Sequence, residues 1–234
     1  MRLAILGDIH ANLEALQAVI EDAKAAGCSE YVSTGDVVGY NANPNECIEV
    51  LRELGCPVVR GNHDEDGAGT HRLYGLNRKA HRSLMWTRDI LSKSNRNWLD
   101  QLPYVLRPHG VTLVHASLDR PEHWTYVLKT SDALNSMAHQ EDTVCFHGHT
   151  HMPIIYVASD DGLSTHDSDA AVTLQPMKRY LCNVGSVGKP RSKDTRAAYA
   201  VYDQAAQTIT MRRVDYDREA TQRKSLDAGL LDFN

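Results

Sequence analysis

Polar residues follow short apolar runs in this sequence, at the points where each run ends. Three such runs with their polar continuations are Arg2–His10, Tyr31–Asp36 and Pro57–Asp64. Each apolar run is typical of a buried strand, and helical patterns separate one run from the next. Repeated strand–loop–helix units predict an α/β architecture with a functional site at one rim of the sheet, because strand ends meet there.

The two intervening helices carry recognisable start signals. Asn12 is predicted to cap the first helix, whose apolar residues follow at helical spacing and stop before Gly27. The second begins at Asn43 and Pro44, an asparagine cap followed by proline at the first helical position, and ends at Gly55.

Residues 66–102 differ in character and are predicted to form a helical insertion beside the site. Their apolar side chains are spaced for burial: Leu76, Ala80, Leu84, Trp86, Ile90, Trp98 and Leu102. The region also carries the basic residues Arg72, Arg78, Lys79, Arg82 and Arg88. We interpret these as a solvated helix face rather than as phosphate contacts.

The remainder of the chain is predicted to contain mostly strands. A hairpin over 104–114 leads to His115, and a helix begins at Thr130. Further strands are predicted at 154–157, 172–174, 180–183, 197–202 and 208–214, with an exposed loop over 159–169. A polar helix begins at residue 218, so that 218–234 form a C-terminal helix and tail. We expect a single domain over 1–234.

One stretch, Cys145–Met152, places His147, His149 and His151 at alternate positions around a glycine. Both flanks have strand character, so the histidines are predicted to lie in a loop at a strand end. Imidazoles in such a loop are a natural source of transition-metal ligands. Taken alone, the stretch fits a surface loop equally well.

Composition excludes several classes of protein. The net charge of −5 over 234 residues argues against a strongly basic nucleic-acid surface. Membrane crossing needs about 18 consecutive apolar residues, and no run in the sequence approaches that length. The five cysteines are odd in number and lack a C-x-x-C spacing, which disfavours a disulfide framework and fits a reducing, cytoplasmic environment.

Carboxylate, amide and imidazole side chains occur at five predicted strand ends. These residues are Asp8, His10, Asp36, Asn62, His63, His115, His149 and His151. Carboxylates with histidines and no thiolates suit Mn, Fe, Zn, Ni or Co, whereas an all-oxygen set would suit Mg or Ca. The set is too large for one ion and about large enough for two, an arrangement used for in-line displacement at phosphorus.

These residues form motifs that resemble the calcineurin-like metallophosphoesterase superfamily. The motifs are Asp8-x-His10, Gly35-Asp36-x-x-Gly39, Gly61-Asn62-His63-Asp64, His115 and Gly148-His149-x-His151. Residues 39–44 and 183–191 further resemble its small bacterial and archaeal phosphodiesterase branch. The resemblance implies an α/β (α+β) fold, a four-layer αββα sandwich of two mixed β-sheets flanked by helices.

The resemblance also implies roles for the motif residues. Asp8, His10 and His151 would bind one metal, Asn62, His115 and His149 a second, and Asp36 would bridge them. Manganese is the expected ion, with Fe, Zn, Ni or Co as alternatives, and a hydroxide between the two ions would attack phosphorus. His63 would stabilise the transition state or protonate the leaving oxygen. Asp64 is a candidate orienter of His63, or else a turn or N-cap aspartate.

The expected activity is hydrolysis of a small phosphodiester, and nucleotide-derived diesters are among the expected substrates. Relatives that act on phosphoproteins or dinucleoside tetraphosphates carry an arginine after the second motif, whereas this chain has Val37-Val38-Gly39-Tyr40. A phosphomonoesterase or nucleotide phosphatase and a non-catalytic scaffold of the same fold are the alternatives. His147 is interpreted as a packing or second-layer histidine, and the roles of Lys189 and Arg191, as well as the oligomeric state, stay open.

Overall fold

A computed structural model describes residues 1–166 and 170–231. Within these residues the strands are β1 (Arg2–Leu6), β2 (Glu30–Ser33), β3 (Val105–Leu106), β4 (Thr112–Val114), β5 (Val144–His147), β6 (Ile154–Ser159), β7 (Gly162–His166), β8 (Val172–Thr173), β9 (Arg179–Asn183), β10 (Ala197–Asp203) and β11 (Thr208–Val214). The α-helices are α1 (Leu13–Ala25), α2 (Pro44–Glu53), α3 (Asn62–Ala68), α4 (Arg78–Ile90), α5 (Lys93–Asp100), α6 (Thr130–Met137) and α7 (Arg218–Asp227).

The strands form two mixed sheets. The first has the order β2-β1-β10-β11-β8, in which only β1 and β2 are parallel. The second has the order β3-β4-β5-β9-β6-β7, with β4, β5 and β9 parallel to one another. Two of the parallel pairs are β1 with β2 and β4 with β5. Because the strands of a parallel pair run in the same direction, the carboxyl ends of each pair lie at the same edge of its sheet.

Three apolar clusters separate four layers. One cluster lies between the two sheets and joins Leu3 and Ile5 of β1 to Phe146 of β5. A second packs α1 and α2 against the outer face of the first sheet, and a third packs α6 against the outer face of the second. Each element buries its apolar face against a neighbour, which is how stacked layers are stabilised. The predicted four-layer αββα sandwich is confirmed.

The first helix begins as predicted, because the Asn12 side chain accepts a hydrogen bond from the backbone N–H of Ala15 at 3.1 Å. The second helix differs in detail. Asn43 occupies its N-cap position without a side-chain hydrogen bond, and Pro44 is the first helical residue.

The predicted third strand is absent. Pro57–Arg60 makes only an isolated parallel bridge, between Val58 and Ser33. β2 ends at Ser33, where the chain leaves the sheet through Gly35 at φ +91°. The next donor that could face β2, the N–H of Gly61, bonds to Asp64 Oδ2 at 3.0 Å instead. Residues 57–60 therefore form an extended segment rather than a strand, because β2 does not continue beside them.

The helical insertion over 66–102 is only partly helical. Residues 69–77 form an irregular segment between α3 and α4, and Leu76 within it is half-buried. Ala80, Leu84 and Leu102 are buried as predicted, but Ile90 is 38% exposed because α4 ends there and the adjacent Leu91 is buried instead. Arg78 and Lys79 are exposed, as the predicted solvated face requires, and they also line a cleft beside the strand-end side chains.

The predicted exposed loop over 159–169 contains a strand. Gly162, at φ +120°, turns the chain so that β7 pairs with β6 as an antiparallel hairpin at the sheet edge. Residues 167–169 of that loop and 232–234 of the C-terminal tail lie outside the described residues. Among the described residues, no helix combines the length and apolar composition needed to cross a membrane.

Candidate metal centre

The strand-end side chains named from the sequence converge at the junction of the two sheets. Asp8 and His10 follow β1 and Asp36 follows β2 in the first sheet, whereas His115 follows β4 and His149 and His151 follow β5 in the second. Asn62 is the first residue of α3 and is half-buried, and the others are almost fully buried. Buried polar side chains at this density need partners, which they find mainly in one another.

One group consists of Asp8, His10 and His151, whose ligand atoms all lie within 4.8 Å of one another. His151 Nε2 is 3.3 Å from Asp8 Oδ1 and 3.1 Å from His10 Nε2. The second carboxylate contact of this group is longer, at 3.8 Å from His10 Nε2 to Asp8 Oδ1.

A second group contains Asn62, His115 and His149. His115 Nε2 is 3.2 Å from Asn62 Oδ1 and 3.1 Å from His149 Nδ1. His149 also contacts the first group through its backbone, because its N–H donates to the Asp8 carboxylate at 3.0 Å.

Asp36 lies between the two groups. Its Oδ2 is 3.6 Å from His10 Nε2 in the first group and 3.4 Å from His115 Nε2 in the second. Its Oδ1 accepts a hydrogen bond from the backbone N–H of His63 at 2.8 Å. One oxygen is thus held by backbone while the other faces both groups.

Backbone carbonyls fix which nitrogen of three imidazoles is free. His10 Nδ1 lies 3.1 Å from the carbonyl of Val38, and His115 Nδ1 lies 2.8 Å from that of Thr34. His151 Nδ1 lies 2.6 Å from the carbonyl of Lys189. Since a carbonyl only accepts, each Nδ1 carries a proton, and each Nε2 is the ring nitrogen directed at the centre. Metal-binding histidines usually donate their second ring N–H to a carbonyl or carboxylate in the same way.

The backbone at the centre is held in an unusual conformation. Asp8, His10, Asp36, His149 and His151 all have φ between +50° and +68°, the left-handed region that non-glycine residues rarely adopt. Each such residue costs on the order of 1–3 kcal/mol, and clusters of them mark functional sites. Packing of the two sheets maintains this strain where the side chains must point inward.

The electrostatics of the centre depend on the shared carboxylate. Burial opposes ionisation of Asp36, yet the neighbouring His115, His63 and His10 hold its pKa well below the usual range. Burial likewise lowers the pKa of His115, but the Asp36 and Asp8 carboxylates outweigh it and raise that pKa to about 9. Burial lowers the pKa of His149 to about 3, so this imidazole is neutral.

The donor set fits divalent metal ions. Nε2 of His10 faces Nε2 of His151 at 3.1 Å, and each carries a lone pair because its Nδ1 holds the proton. Two lone pairs at this distance repel unless a proton or a cation lies between them. His149 Nε2 has no hydrogen-bond partner. Carboxylate, amide and imidazole donors of this kind suit transition metals.

His63 lies beside the two groups and is 5% exposed. One of its ring nitrogens lies within 4.8 Å of the ligand atoms of His10 and Asp36, and its Nδ1 has no hydrogen-bond partner. A Cβ on Gly39 would approach this Nδ1 to 2.3 Å, so only glycine leaves room for the imidazole. Tyr40 packs against the His63 ring at 4.7 Å between centroids. Burial lowers the pKa of His63.

Asp64 is buried and bonded to backbone rather than to an imidazole. Its Oδ1 accepts from the N–H groups of Val37 and Val38 at 2.8 and 3.2 Å, and its Oδ2 accepts from Gly61 at 3.0 Å. Burial and the Asp36 carboxylate raise the pKa of Asp64 to about 7, against the opposing effect of these donors. Its contacts shape the loop that carries Asp36, and its catalytic role stays a prediction.

His147 lies on β5 and is fully buried outside the groups of potential ligands. Its Nδ1 is 3.4 Å from the amide nitrogen of Asn183. That amide also donates to the carbonyl of Gly148 at 2.6 Å, which braces the loop bearing His149 and His151. Burial lowers the pKa of His147 to about 3, consistent with a neutral packing side chain.

A cleft of about 640 Å³ opens over the centre, and its lining includes residues that sequence reasoning did not assign to the site. Tyr126 stacks on His149 with a centroid distance of 4.0 Å and an interplanar angle of 28°. Lys189 places its Nζ 4.2 Å over the ring of Tyr40. The glycine-rich loop around Lys189 and Arg191 is recognisable in the sequence, but no local pattern identifies Tyr126 as part of a site.

A sequence profile agrees with this geometry. The profile of the calcineurin-like phosphoesterase superfamily domain matches residues 1–207, which include every predicted ligand. The chain belongs to the calcineurin-like phosphoesterase superfamily. This superfamily consists of metallophosphoesterase hydrolases, and the His and Asp groups at the sheet junction are candidate metal-binding residues of that family.

Relatives of the superfamily that resemble this chain come from bacteria and archaea. An uncharacterized protein of Methanocaldococcus jannaschii is 37% identical over 227 residues, covering 95% of this chain and 90% of that protein. The metallophosphoesterase of Sphaerobacter thermophilus is 34% identical with a TM-score of 0.86, over 99% of this chain and 95% of its own. A hypothetical protein of Pyrococcus horikoshii, 21% identical with a TM-score of 0.80 over 99% and 94% of the two chains, shares the fold.

Proposed function

We propose that this protein is a dinuclear metal-dependent phosphodiesterase. The observation that carries the proposal is the position of Asp36, whose Oδ2 lies 3.6 Å from His10 Nε2 and 3.4 Å from His115 Nε2. A carboxylate is the one protein group at this centre that can contact two cations while offsetting their charge. Asp8, His10 and His151 would complete one ion's ligands, and Asn62, His115 and His149 those of the other.

The metals and the protein contribute different parts of the chemistry. Bound divalent cations, with manganese as our expectation, would supply Lewis acidity and would make a hydroxide nucleophile available near neutral pH. The neutral Asn62 side chain adds no negative charge, which leaves the centre attractive to a phosphate group. His63, which lines the cleft, would donate a proton to the departing alkoxide or stabilise the developing charge on the phosphoryl oxygens.

A diester substrate is favoured by the residues directly after Asp36. An arginine there would hold two oxygens of a phosphomonoester dianion bidentately, but this chain has the stretch Val37–Tyr40, which contains none. The Tyr40 ring instead packs against His63 and His10, with centroid distances of 4.7 and 4.8 Å. We expect a small substrate, with nucleotide-derived diesters as the first class to examine.

A phosphomonoesterase is the second candidate function. The observation that favours it is the presence of Lys189 and Arg191 in the cleft, because these cations could replace the missing arginine. Rates on a monoester and a diester with the same aryl leaving group separate the two candidates. A preference for the monoester would overturn the diester proposal.

The proposal is tested with metal-reconstituted protein. Mn²⁺-loaded protein should hydrolyse an aryl phosphodiester, and His63→Ala should lower kcat by about a hundredfold or more. Asp36→Asn should abolish activity and reduce the bound metal. The matched control is His139→Ala, which removes an exposed histidine after α6 and should leave kcat unchanged.

Two results would contradict the proposal. Full activity after EDTA treatment and removal of the chelator would show that metals are not required. A metal content below about one ion per chain would instead favour a non-catalytic scaffold, since such a content leaves no two-metal centre.

A further inference from the structure

Four cationic side chains lie around the cleft, outside the candidate metal ligands. Arg78 and Lys79 begin α4, and Lys189 and Arg191 lie in the loop after β9. The two pairs are more than a hundred residues apart in the sequence and are brought together only by the fold. The whole chain carries a net charge of −5, so this is a local concentration of positive charge rather than a general property of the surface.

The cations are held close to one another without acidic partners. Across residues 1–166 and 170–231, no carboxylate forms an ion pair with any of the four. Burial lowers the pKa of Lys189, and the charges of Arg191 and Lys79 lower it further. Like charges placed together without compensation are unfavourable, and an anion would relieve the repulsion.

Tyr40 and Asn77 lie within this cluster. Burial raises the pKa of Tyr40, and the nearby side chains of Asn77 and Arg191 oppose that rise. Asn77 also caps α4, accepting from the N–H of Ala80 at 3.0 Å. The start of α4 therefore lies beside the same tyrosine that Lys189 and Arg191 approach.

The start of α4 is itself suited to an anion. A helix N-terminus carries partial positive charge, which normally favours acidic residues, yet the first turn of α4 contains none and instead carries Arg78 and Lys79. Two cations at this position are unfavourable by themselves. Together with the free N–H groups of the first turn they make a favourable environment for a phosphate group.

The cluster is placed to bind a group other than the one hydrolysed. Lys189 contacts the Tyr40 ring, and that ring in turn contacts His10 and His63 at the candidate metal centre. Lys189 thus reaches the centre through an aromatic ring, and within the described residues none of the four cations is paired with Asp8 or Asp36.

We propose that Arg78, Lys79, Lys189 and Arg191 form an anion subsite for a second phosphate group of the substrate. The substrate is then a small phosphodiester that carries a further phosphate beyond the one hydrolysed. The substrate half of this inference rests on the proposed phosphodiesterase function, whereas the anion subsite itself does not.

The first experiment measures anion binding without metals or turnover. Chelator-treated protein, freed of chelator, is titrated with inorganic pyrophosphate in a calorimeter at low ionic strength. One binding site is expected, weakened about tenfold by Lys79→Gln and by Arg191→Gln, since a hydrogen bond to a charged group contributes about that factor.

Lys93→Gln is the matched control, because Lys93 is exposed at the start of the neighbouring α5 and lies outside the cleft. Lys79 is also exposed, so neither Lys93→Gln nor Lys79→Gln endangers folding. Undetectable binding to the wild-type protein would overturn the subsite, and so would equal affinity in the wild-type, Lys79→Gln and Arg191→Gln proteins.

The second experiment tests the substrate. Mn²⁺-loaded protein is given the 4-nitrophenyl ester of thymidine 5′-phosphate, with and without a phosphate on the 3′ oxygen. The added phosphate should lower KM about tenfold in the wild-type and Lys93→Gln proteins, and much less in Lys79→Gln, because it replaces a neutral group with a charged partner for the cations.

The two experiments separate the two proposals. Equal KM values for both esters in the wild-type protein would overturn the second-phosphate substrate. Hydrolysis of neither ester would contradict the proposed phosphodiesterase function, while the calorimetric result would still decide whether the anion subsite exists.

Discussion

At the scale of single residues, the centre depends on side chains that never need to touch a substrate. Asp64 is the clearest case, since both of its carboxylate oxygens accept hydrogen bonds from the backbone N–H groups of Gly61, Val37 and Val38. Those donors belong to the turns that carry Asp36 and Asn62. The sequence left two roles open for Asp64, an orienter of His63 or a turn or N-cap aspartate, and its bond from the Gly61 N–H fits the second role.

The substitution Asp64→Asn should therefore destabilise the protein. The amide would turn one NH₂ group toward a backbone donor, leaving that buried N–H unsatisfied at a cost of about 1–3 kcal/mol. Urea unfolding of metal-free protein at pH 8, above the Asp64 pKa of about 7, measures this directly. Asp66→Asn is the control, because its partner His71 is half exposed and the pair contributes little. Wild-type stability in Asp64→Asn with lost activity would instead support the predicted catalytic role.

At the scale of secondary structure, a few polar contacts orient the outer helices on the sheets. Asp22 of α1 accepts from Arg212 Nε and Nη2 at 2.7 and 2.8 Å and from the Tyr199 hydroxyl at 2.7 Å. Arg212 lies on β11 and Tyr199 on β10, so one carboxylate joins the helix to two strands. The same contacts lower the pKa of Asp22, with the hydrogen bond from Arg212 as the largest cause.

Asp22→Asn should lower the free energy of unfolding by about 1 kcal/mol at pH 7, a modest value because the Arg212 side chain is 38% exposed. The folded pKa is depressed, so this stabilisation is complete above the ordinary value of 3.8 and disappears as the pH falls through the folded pKa. Denaturant unfolding of the wild-type and Asp22→Asn proteins, from pH 7 downward, measures the difference between their free energies of unfolding.

Asp89→Asn, an exposed position on α4, is the control and should match the wild-type protein at every pH. A difference between wild-type and Asp22→Asn that stayed constant below pH 3.8 would contradict the ion-pair explanation. It would point instead to the loss of the Tyr199 hydrogen bond alone.

At the scale of the whole molecule, the candidate metal centre joins the two sheets. Asp8, His10 and Asp36 come from the first sheet, and His115, His149 and His151 come from the second. The strained backbone conformations are concentrated there as well. Ions bound by both sets of ligands would link the sheets at one edge, where the apolar cluster between them ends.

Metal binding should therefore stabilise the fold. With free metal a hundredfold above its Kd, binding to the native state alone adds about 2.7 kcal/mol per site. Scanning calorimetry should show a higher Tm for Mn²⁺-loaded than for EDTA-treated protein, and a smaller increase in Asp36→Asn because the shared ligand is lost. His139→Ala should show the full increase. An unchanged Tm in the wild-type protein would contradict a metal centre between the sheets.

Sequence patterns alone predicted an α/β architecture and the set of side chains at the centre, whereas the four-layer sandwich was implied by the resemblance to the superfamily. Strand periodicity and helix caps are local signals, and polar residues after strands mark a common rim. The division of the ligands between two ions came from the resemblance to the superfamily, and the grouping of Asp8 with His10 and His151 agrees with it. Local signals also produced the errors, since Pro57–Arg60 has a strand pattern but no neighbour to continue pairing with.

The tertiary structure alone decided what those side chains face. Carbonyls of Thr34, Val38 and Lys189, distant in sequence from the imidazoles they meet, determine which ring nitrogen is free. The meeting of Arg78 and Lys79 with Lys189 and Arg191 has no counterpart in any local pattern. Charge and periodicity describe one segment at a time, whereas a binding site depends on distances between segments, and those are set by how the sheets and helices pack.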